Sequence, residues 1–237
     1  MRKTLYILLL LAFACSGEHK HDHGHEHDST GHEHGEHEHG HHHGDANAYM
    51  NESEFDELVQ RFEDPEREKW QKPEVVIAFI GDLKGKTLVD IGAGTGYFAF
   101  KLADGAEKII AADADERFID YIENKNKDAK KNNLITRKAE YASAPLEANE
   151  ADVVLLVNVY HHIEKRNDYF KAVHSKLREK GELIVVDFKK GDLPVGPPNA
   201  MKVGPNTAKA ELEEAGFTFV QMDDASLEYQ YLLKMKK

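Results

Sequence analysis

The chain of 237 residues is 41% apolar, carries one cysteine and has a formal net charge of −12. That apolar content suffices for a packed core, and one cysteine excludes an intrachain disulfide framework or a Cys-rich zinc site. The acidic balance argues against a general nucleic-acid surface, because phosphate contacts need clustered cations.

Composition divides the chain into segments 1–15, 16–45 and 46–237. Arg2 and Lys3 precede an uncharged apolar run from Leu5 to Ala14. The run is too short for an ordinary spanning helix, which needs about 20 residues. A basic start, a short apolar stretch and small residues at its end describe an export signal. Ala12-Phe13-Ala14-Cys15 resembles a bacterial lipoprotein signal, which implies cleavage before Cys15 and lipidation of that residue; a simple cleaved signal is the alternative reading. The expected location is the cell envelope, held to a membrane by an N-terminal lipid anchor, or the cytoplasm if the leader is not used. Two or three acyl chains anchor stably where one does not.

Segment 16–45 is low in complexity. His19, His21, His23, His25, His27, His32, His34, His37, His39, His41, His42 and His43 alternate with Asp, Glu and Gly, and no aliphatic residue lies among them. Such a stretch cannot bury enough surface to offset its ordering entropy, so disorder is expected. Imidazole suits zinc, nickel and copper, and repeated His-x-His spacing offers interchangeable ligand pairs. A hydrophilic spacer is the other reading of the same tract.

Segment 46–237 suits one domain. Short helices over 51–80 open it: one from about Ser53 to Phe62, one beginning at Asp64-Pro65, and one over Glu74–Ile80 after Pro73. From Thr87, short apolar runs alternate with helices. The runs are Leu88–Ile91, Ile109–Ala112, Leu134-Ile135, Val153–Val157 and Leu183–Val186. Continuous rather than alternating hydrophobicity predicts strands covered on both faces, hence a parallel sheet. The intervening helices are expected near Tyr97–Ala103, Arg117–Lys130 and Lys165–Glu179. A last helix near Ala208–Ala215 and two strands, Phe217–Met222 and Glu228–Met235, close the chain as an antiparallel pair.

The first strand runs into Asp90-Ile91-Gly92-Ala93-Gly94-Thr95-Gly96-Tyr97. Glycines here let the backbone turn sharply and approach a ligand without a side chain intervening. The dinucleotide fingerprint would place its third glycine where this chain has Tyr97, so a nicotinamide cofactor fits poorly. Asp113 ends the second strand, where a carboxylate can accept both hydroxyls of a ribose. A glycine loop plus an acid at the next strand end specifies a nucleoside.

These residues resemble those of the class I S-adenosylmethionine-dependent methyltransferases, over roughly Pro73 to Lys237. The resemblance implies an α/β, Rossmann-like, doubly wound sheet of seven mostly parallel strands, with the last strand antiparallel and helices on both faces. It implies S-adenosyl-L-methionine as cofactor. Gly92, Gly94 and Gly96 would border its methionine and ribose portions, Asp90 would support its amino group, and Asp113 would hold the ribose diol. Glu140 is the nearest candidate for the adenine amino group, and Asn158 would end the fourth strand under the reactive methyl.

Methyl transfer from a sulfonium is an in-line displacement, so much of the catalysis can come from alignment. A base is needed only where the accepting atom must lose a proton. His161 and His162 follow the fourth strand, at the carboxyl edge where open sheets bind ligands, and either is a candidate base; capping of the next helix is the alternative. Tyr160 is expected to wall the substrate pocket, as is Trp70, for which core packing is the other option. The Pro-Gly-rich run from Asp187 to Pro198 reads as a lid, with Lys189 and Lys190 available to an anionic group. With no basic groove for nucleic acid, a small-molecule acceptor is expected. A second functional class stays open: an envelope metal-buffering lipoprotein that uses the histidine tract, with the α/β domain as a binding module. The Cys15→Ala variant should move the protein from the membrane to the soluble fraction on fractionation of cells; continued membrane association would remove the lipid anchor.

Overall fold

The computed structural model describes Asn47, Met50 and residues 53–237. The leader, Cys15 and the histidine tract lie outside the described residues. Helices α1 (Phe55–Phe62), α2 (Glu66–Gln71) and α3 (Pro73–Ile80) precede strand β1 (Thr87–Ile91). Then come α4 (Tyr97–Leu102), β2 (Lys108–Asp113), α5 (Glu116–Ala129), β3 (Leu134–Lys138) and β4 (Val153–Val157). The remaining elements are α6 (Arg166–Lys176), β5 (Glu182–Phe188), α7 (Pro205–Glu214), β6 (Thr218–Asp223) and β7 (Gln230–Lys236).

The seven strands form one sheet in the order β3-β2-β1-β4-β5-β7-β6. Strands β1 to β5 pair in parallel, whereas β7 runs antiparallel to both β5 and β6. Successive strand residues point to opposite faces, and here both faces are covered. Val89, Ile110, Val154 and Val185 pack with Phe170, Val173 and Leu212 of α6 and α7. Their neighbours Leu88, Ile109, Leu155 and Ile184 pack on the other face with Val76, Phe98 and Ile122 of α3, α4 and α5. All five residues of β1 and of β4 are buried, as continuous apolar runs require.

The structure departs from the expected bounds where tertiary contacts decide. β3 extends to Lys138 through Thr136 and Arg137, because pairing with β2 continues to Asp113 at an edge where polar residues are tolerated. α6 stops at Lys176 rather than Glu179: Leu177 turns extended and is fully buried. Arg178 is held outside the helix by its N–H to the Ala151 carbonyl (2.9 Å) and its guanidinium to Asp152 (2.6 Å). α7 begins at Pro205, the first-turn position a proline prefers, earlier than the apolar pattern indicates. Leu155→Ala, in the middle of the sheet, should lower the unfolding free energy by about 2–5 kcal/mol in urea titrations. A loss below about 1 kcal/mol would mean that the core closes around the deletion.

Candidate functional site

The carboxyl ends of β1, β2, β4 and β5 open into a cavity of about 750 Å³. Its floor is the loop after β1. Gly92, Gly94 and Gly96 all adopt left-handed backbone (φ 71°, 54° and 76°), which residues with a Cβ rarely enter. Gly92 and Ala93 donate their N–H groups to the Ala112 carbonyl at 2.8 and 3.1 Å, tying the loop to β2. A Cβ on Gly92 would stand 2.5 Å from Val159 Cγ2, so nothing larger than glycine fits there. Gly92 and Gly94 line the cavity with Thr95. Gly96 does not: a Cβ there would meet Phe100 and Ile122, and the residue serves as the turn into α4.

Two carboxyl groups face this loop. Asp113 Oδ2 accepts the Gly94 N–H at 2.8 Å and Oδ1 accepts the Asp115 N–H at 2.9 Å. Burial pushes the Asp113 carboxyl up to about 6, against the pull of those two N–H donors. Asp90 is pushed up to about 7, first by burial and then by repulsion from Asp113. Arg67 opposes that rise. Its guanidinium lies 4.1 Å over the Tyr97 ring and donates to the Phe62 carbonyl (2.8 Å) and to Gln71 Oε1 (2.6 Å); burial lowers it to about 10. Thr95 Oγ1, buried at the cavity wall, has no hydrogen-bond partner among the described residues.

Beyond the loop, Glu140 is an exposed residue at the cavity edge, in an isolated bridge with Ser143. Asn158 lines the cavity in left-handed backbone (φ 61°) at the end of β4. Its Oδ1 accepts from Gln230 Nε2, and Gln230 Oε1 accepts from Gln71 Nε2 at 3.2 Å. Both glutamines are fully buried, so a line of amides joins α2 and β7 to the site.

Another part of the cavity lining comes from the segments after β4 and β5. His161 Nδ1 lies 2.9 and 3.0 Å from the two carboxylate oxygens of Asp187, and the His161 N–H reaches Oδ2 at 3.1 Å. The side chains are 3% and 1% exposed. His162 stacks near it, ring centroids 4.3 Å apart, with Nδ1 3.1 Å from Asn47 Oδ1; burial, then the charge of His161, lower it to about 4. Asn47 Nδ2 also donates to the His162 carbonyl at 3.1 Å. Trp70 is half-buried, lines the cavity and lies 6.0 Å from the Phe188 ring.

Tyr160 does not wall the cavity. It is fully buried, stacks on Phe170 (5.0 Å) and donates its hydroxyl to Glu211 Oε2 at 2.6 Å. Burial and that carboxylate raise it well above the usual phenol range. The turn over Tyr160–His162 sends the tyrosine inward and leaves the two histidines at the cavity. Lys189 and Lys190 are also absent from the lining: their ammonium groups donate to the carbonyls of Leu227 (2.6 Å) and Asn199 (3.2 Å). Asp187, Arg67, Gln71, Gln230 and Asn47 carry roles that their local sequence does not show. Asp187 offered one signal, an acid closing a buried apolar run at a strand's carboxyl end, as Asp113 does. Among the described residues no group of three His, Cys, Asp or Glu side chains is placed to hold a metal ion.

Residues 89–185 match a family model described as a methyltransferase domain. An uncharacterized protein of Haemophilus influenzae is 30% identical over 121 residues, 48% of this chain and 46% of that protein. A tRNA U34 carboxymethyltransferase of the same species is 28% identical over 121 residues, 49% of this chain and 36% of that one. The chain thus spans less than half the length of these two curated relatives. The crystal structure of a SAM-dependent methyltransferase from Aquifex aeolicus superposes with a TM-score of 0.72 at 21% identity, covering 78% of this chain and 98% of that one. The fold is the Rossmann-like methyltransferase fold, a seven-stranded mixed sheet with β7 reversed.

The Asp90 carboxyl yields a stability prediction of definite sign. Its raised value means that the unfolded chain ionises near pH 4 while the folded chain resists until about pH 7. The resulting penalty is absent at low pH and complete above 7. Asp90→Asn should therefore raise the melting temperature of the ligand-free protein at pH 8 and do so less at pH 5; an equal gain at both values would show that Asp90 is not held in this way.

Proposed function

We propose that the chain is an S-adenosylmethionine-dependent methyltransferase acting on a small molecule. One observation carries the reading: the left-handed glycine loop faces two buried carboxyl groups, Asp90 and Asp113, across a cavity wall that includes the unpartnered Thr95 hydroxyl. A ligand combining a cation, a ribose diol and hydrogen-bonding ends fits that set. Ammonium and sulfonium charge relieve the repulsion between Asp90 and Asp113, and a diol can share the Asp113 oxygens that already hold Gly94 and Asp115. The bare Gly92 and Gly94 backbone admits the ligand close to the loop. When bound, the cofactor supplies an activated methyl group. Asn158, which follows β4 and lines the cavity, would stand beside that group. Glu140 at the rim is the residue nearest in place to serve the adenine.

A small acceptor is favoured by the apolar share of the lining, to which Trp70, Phe188, Val195, Pro197 and Met201 contribute. Arg61 and Arg67 are the cations among the described lining residues, too few for a phosphate backbone. The same proposal keeps the chain at the cell envelope through Cys15, with the histidine tract as a spacer that can take up zinc, nickel or copper.

Calorimetric titration of S-adenosylmethionine into the purified chain should give micromolar binding, with none for a nicotinamide dinucleotide. The reverse preference would overturn the reading. Asp113→Ala should weaken binding by about 1–3 kcal/mol, the range for leaving buried polar groups unpaired. Binding of the cationic cofactor should strengthen from pH 6 to pH 8, because Asp90 gains its charge near 7 and Asp113 near 6. In Asp90→Asn that rise should shrink; an unchanged rise would place the responsible group elsewhere.

A further inference from the structure

We infer that the acceptor is a neutral, apolar molecule bearing an ionisable hydroxyl, and that His161, oriented by Asp187, takes its proton. The inference rests on the methyltransferase reading and adds the acceptor's chemistry. It begins from hydrogen-bond direction. The Asp187 carboxylate accepts the N–H of Phe188 at 2.7 Å and the N–H of His161 at 3.1 Å, as well as the His161 ring. A carboxylate only accepts, so Nδ1 carries a proton, and in the neutral ring that leaves the lone pair on Nε2. Among the described residues Nε2 has no hydrogen-bond partner, and His161 lines the cavity. The pair is rigidly built: β4 and β5 are neighbours in register from Val153↔Glu182 to Val157↔Val186, and Asp187 follows directly. His161 stands on the turn immediately after β4.

The neighbour His162 is a wall and not a second base. Burial first, and then repulsion whenever the His161 ring is protonated, hold it low, and Asn47 occupies its Nδ1. Among the described residues the titratable groups beside the pair are His162, stacked near His161, and Tyr231, opposite Asp187 on β7.

Charge and polarity around the pair then select the acceptor. Phe188 is 6.4 Å from the His161 ring and Trp70 is 6.0 Å from Phe188, while the run after β5 adds Val195, Pro197 and Met201 to the lining of the same cavity. Among the described residues the lysines and arginines of the cavity lining are Arg61, over Phe62, and Arg67, over Tyr97, each already set against an aromatic ring. A carboxylate or phosphate would lose its hydration here with no cation to replace it. A neutral amine attacks with its own lone pair and needs no base beforehand. A hydroxyl is a weak nucleophile until its proton leaves, and an oriented imidazole is the group that removes it. The step balances: the hydroxyl proton passes to Nε2, an oxygen lone pair forms the O–CH₃ bond, and the C–S pair returns to sulfur as a neutral thioether. The imidazolium then releases its proton to water.

The test uses the full chain with methyl-deuterated S-adenosylmethionine and three probes of one size: phenol, benzoate and benzylamine. Phenol should be methylated at least tenfold faster than either of the others. Preference for benzoate or benzylamine overturns the inference, as does cofactor binding without methylation of phenol; absence of cofactor binding itself would instead overturn the methyltransferase reading. His161→Gln and Asp187→Asn should each lower kcat on phenol by about 10²–10⁴-fold, the usual worth of a positioned base. Cofactor affinity should stay within a few-fold of the parent. The deficit should narrow as pH approaches the phenol's own pKa of about 10; a deficit constant with pH, or one that follows lost cofactor affinity, would make both residues merely structural. A second readout needs neither ligand. Nitrogen-15 spectra of the His161 ring at pH 8 should show the Nδ1–H tautomer in the parent and its loss in Asp187→Asn, whereas an Nε2–H ring in the parent ends the proposal.

Discussion

The bond from the Gly94 N–H to Asp113 Oδ2 at 2.8 Å is the join on which the cavity depends. It fastens the loop leaving β1 to the end of β2, and the Asp115 N–H on the other oxygen fixes the carboxyl in place. A loop with three left-handed glycines has many conformations to lose, so it needs such a clamp to hold one shape. The cost is electrostatic. Two acids are buried together, partly offset by one guanidinium, and the packed sheet beneath holds that arrangement in place. A site stressed in this manner is best relieved by a ligand bringing positive charge and hydroxyls.

What the sequence made legible was what is local. The buried runs of β1, β2, β4 and β5 are mostly apolar, broken in β1 and β5 only by Asp90 and Asp187, and the glycine spacing and Asp113 stand in one short stretch. The reversed β7 also followed from two strands closing the chain after the last helix. What stayed hidden was decided by distance along the chain. Gln71 meets Gln230 from 159 residues away, and Asn47 meets His162 from 115. Tyr160 and His161 are adjacent in sequence but point to opposite environments, which only the turn after β4 determines. Likewise α6 ends where Arg178 finds Asp152, a partner no helical periodicity reveals.

The two sides of the cavity differ in character. On the loop side the backbone itself makes the surface, so its shape is tied to the sheet. On the other side the surface is made by side chains on the run after β5, braced by its own bonds: Lys202 Nζ to the Gly191 carbonyl and the Gly191 N–H to Asn199 Oδ1, both 2.7 Å. Lys202 is 3% exposed, unusual for a lysine, and burial lowers its pKa. A segment that spends a buried cation on holding itself together is a preformed wall, and selectivity there is a matter of fit.

The amide line from α2 to β4 runs one way. Arg67 can only donate, so the Gln71 oxygen must turn toward it and the Gln71 nitrogen away. That nitrogen sets Gln230, which sets Asn158 in turn. The orientation of three amides, each otherwise free to flip, is thus dictated by a guanidinium at the far end. Asn158 consequently has its oxygen spoken for and, among the described residues, no partner for its NH₂, so the end of β4 is polarised as a hydrogen-bond donor.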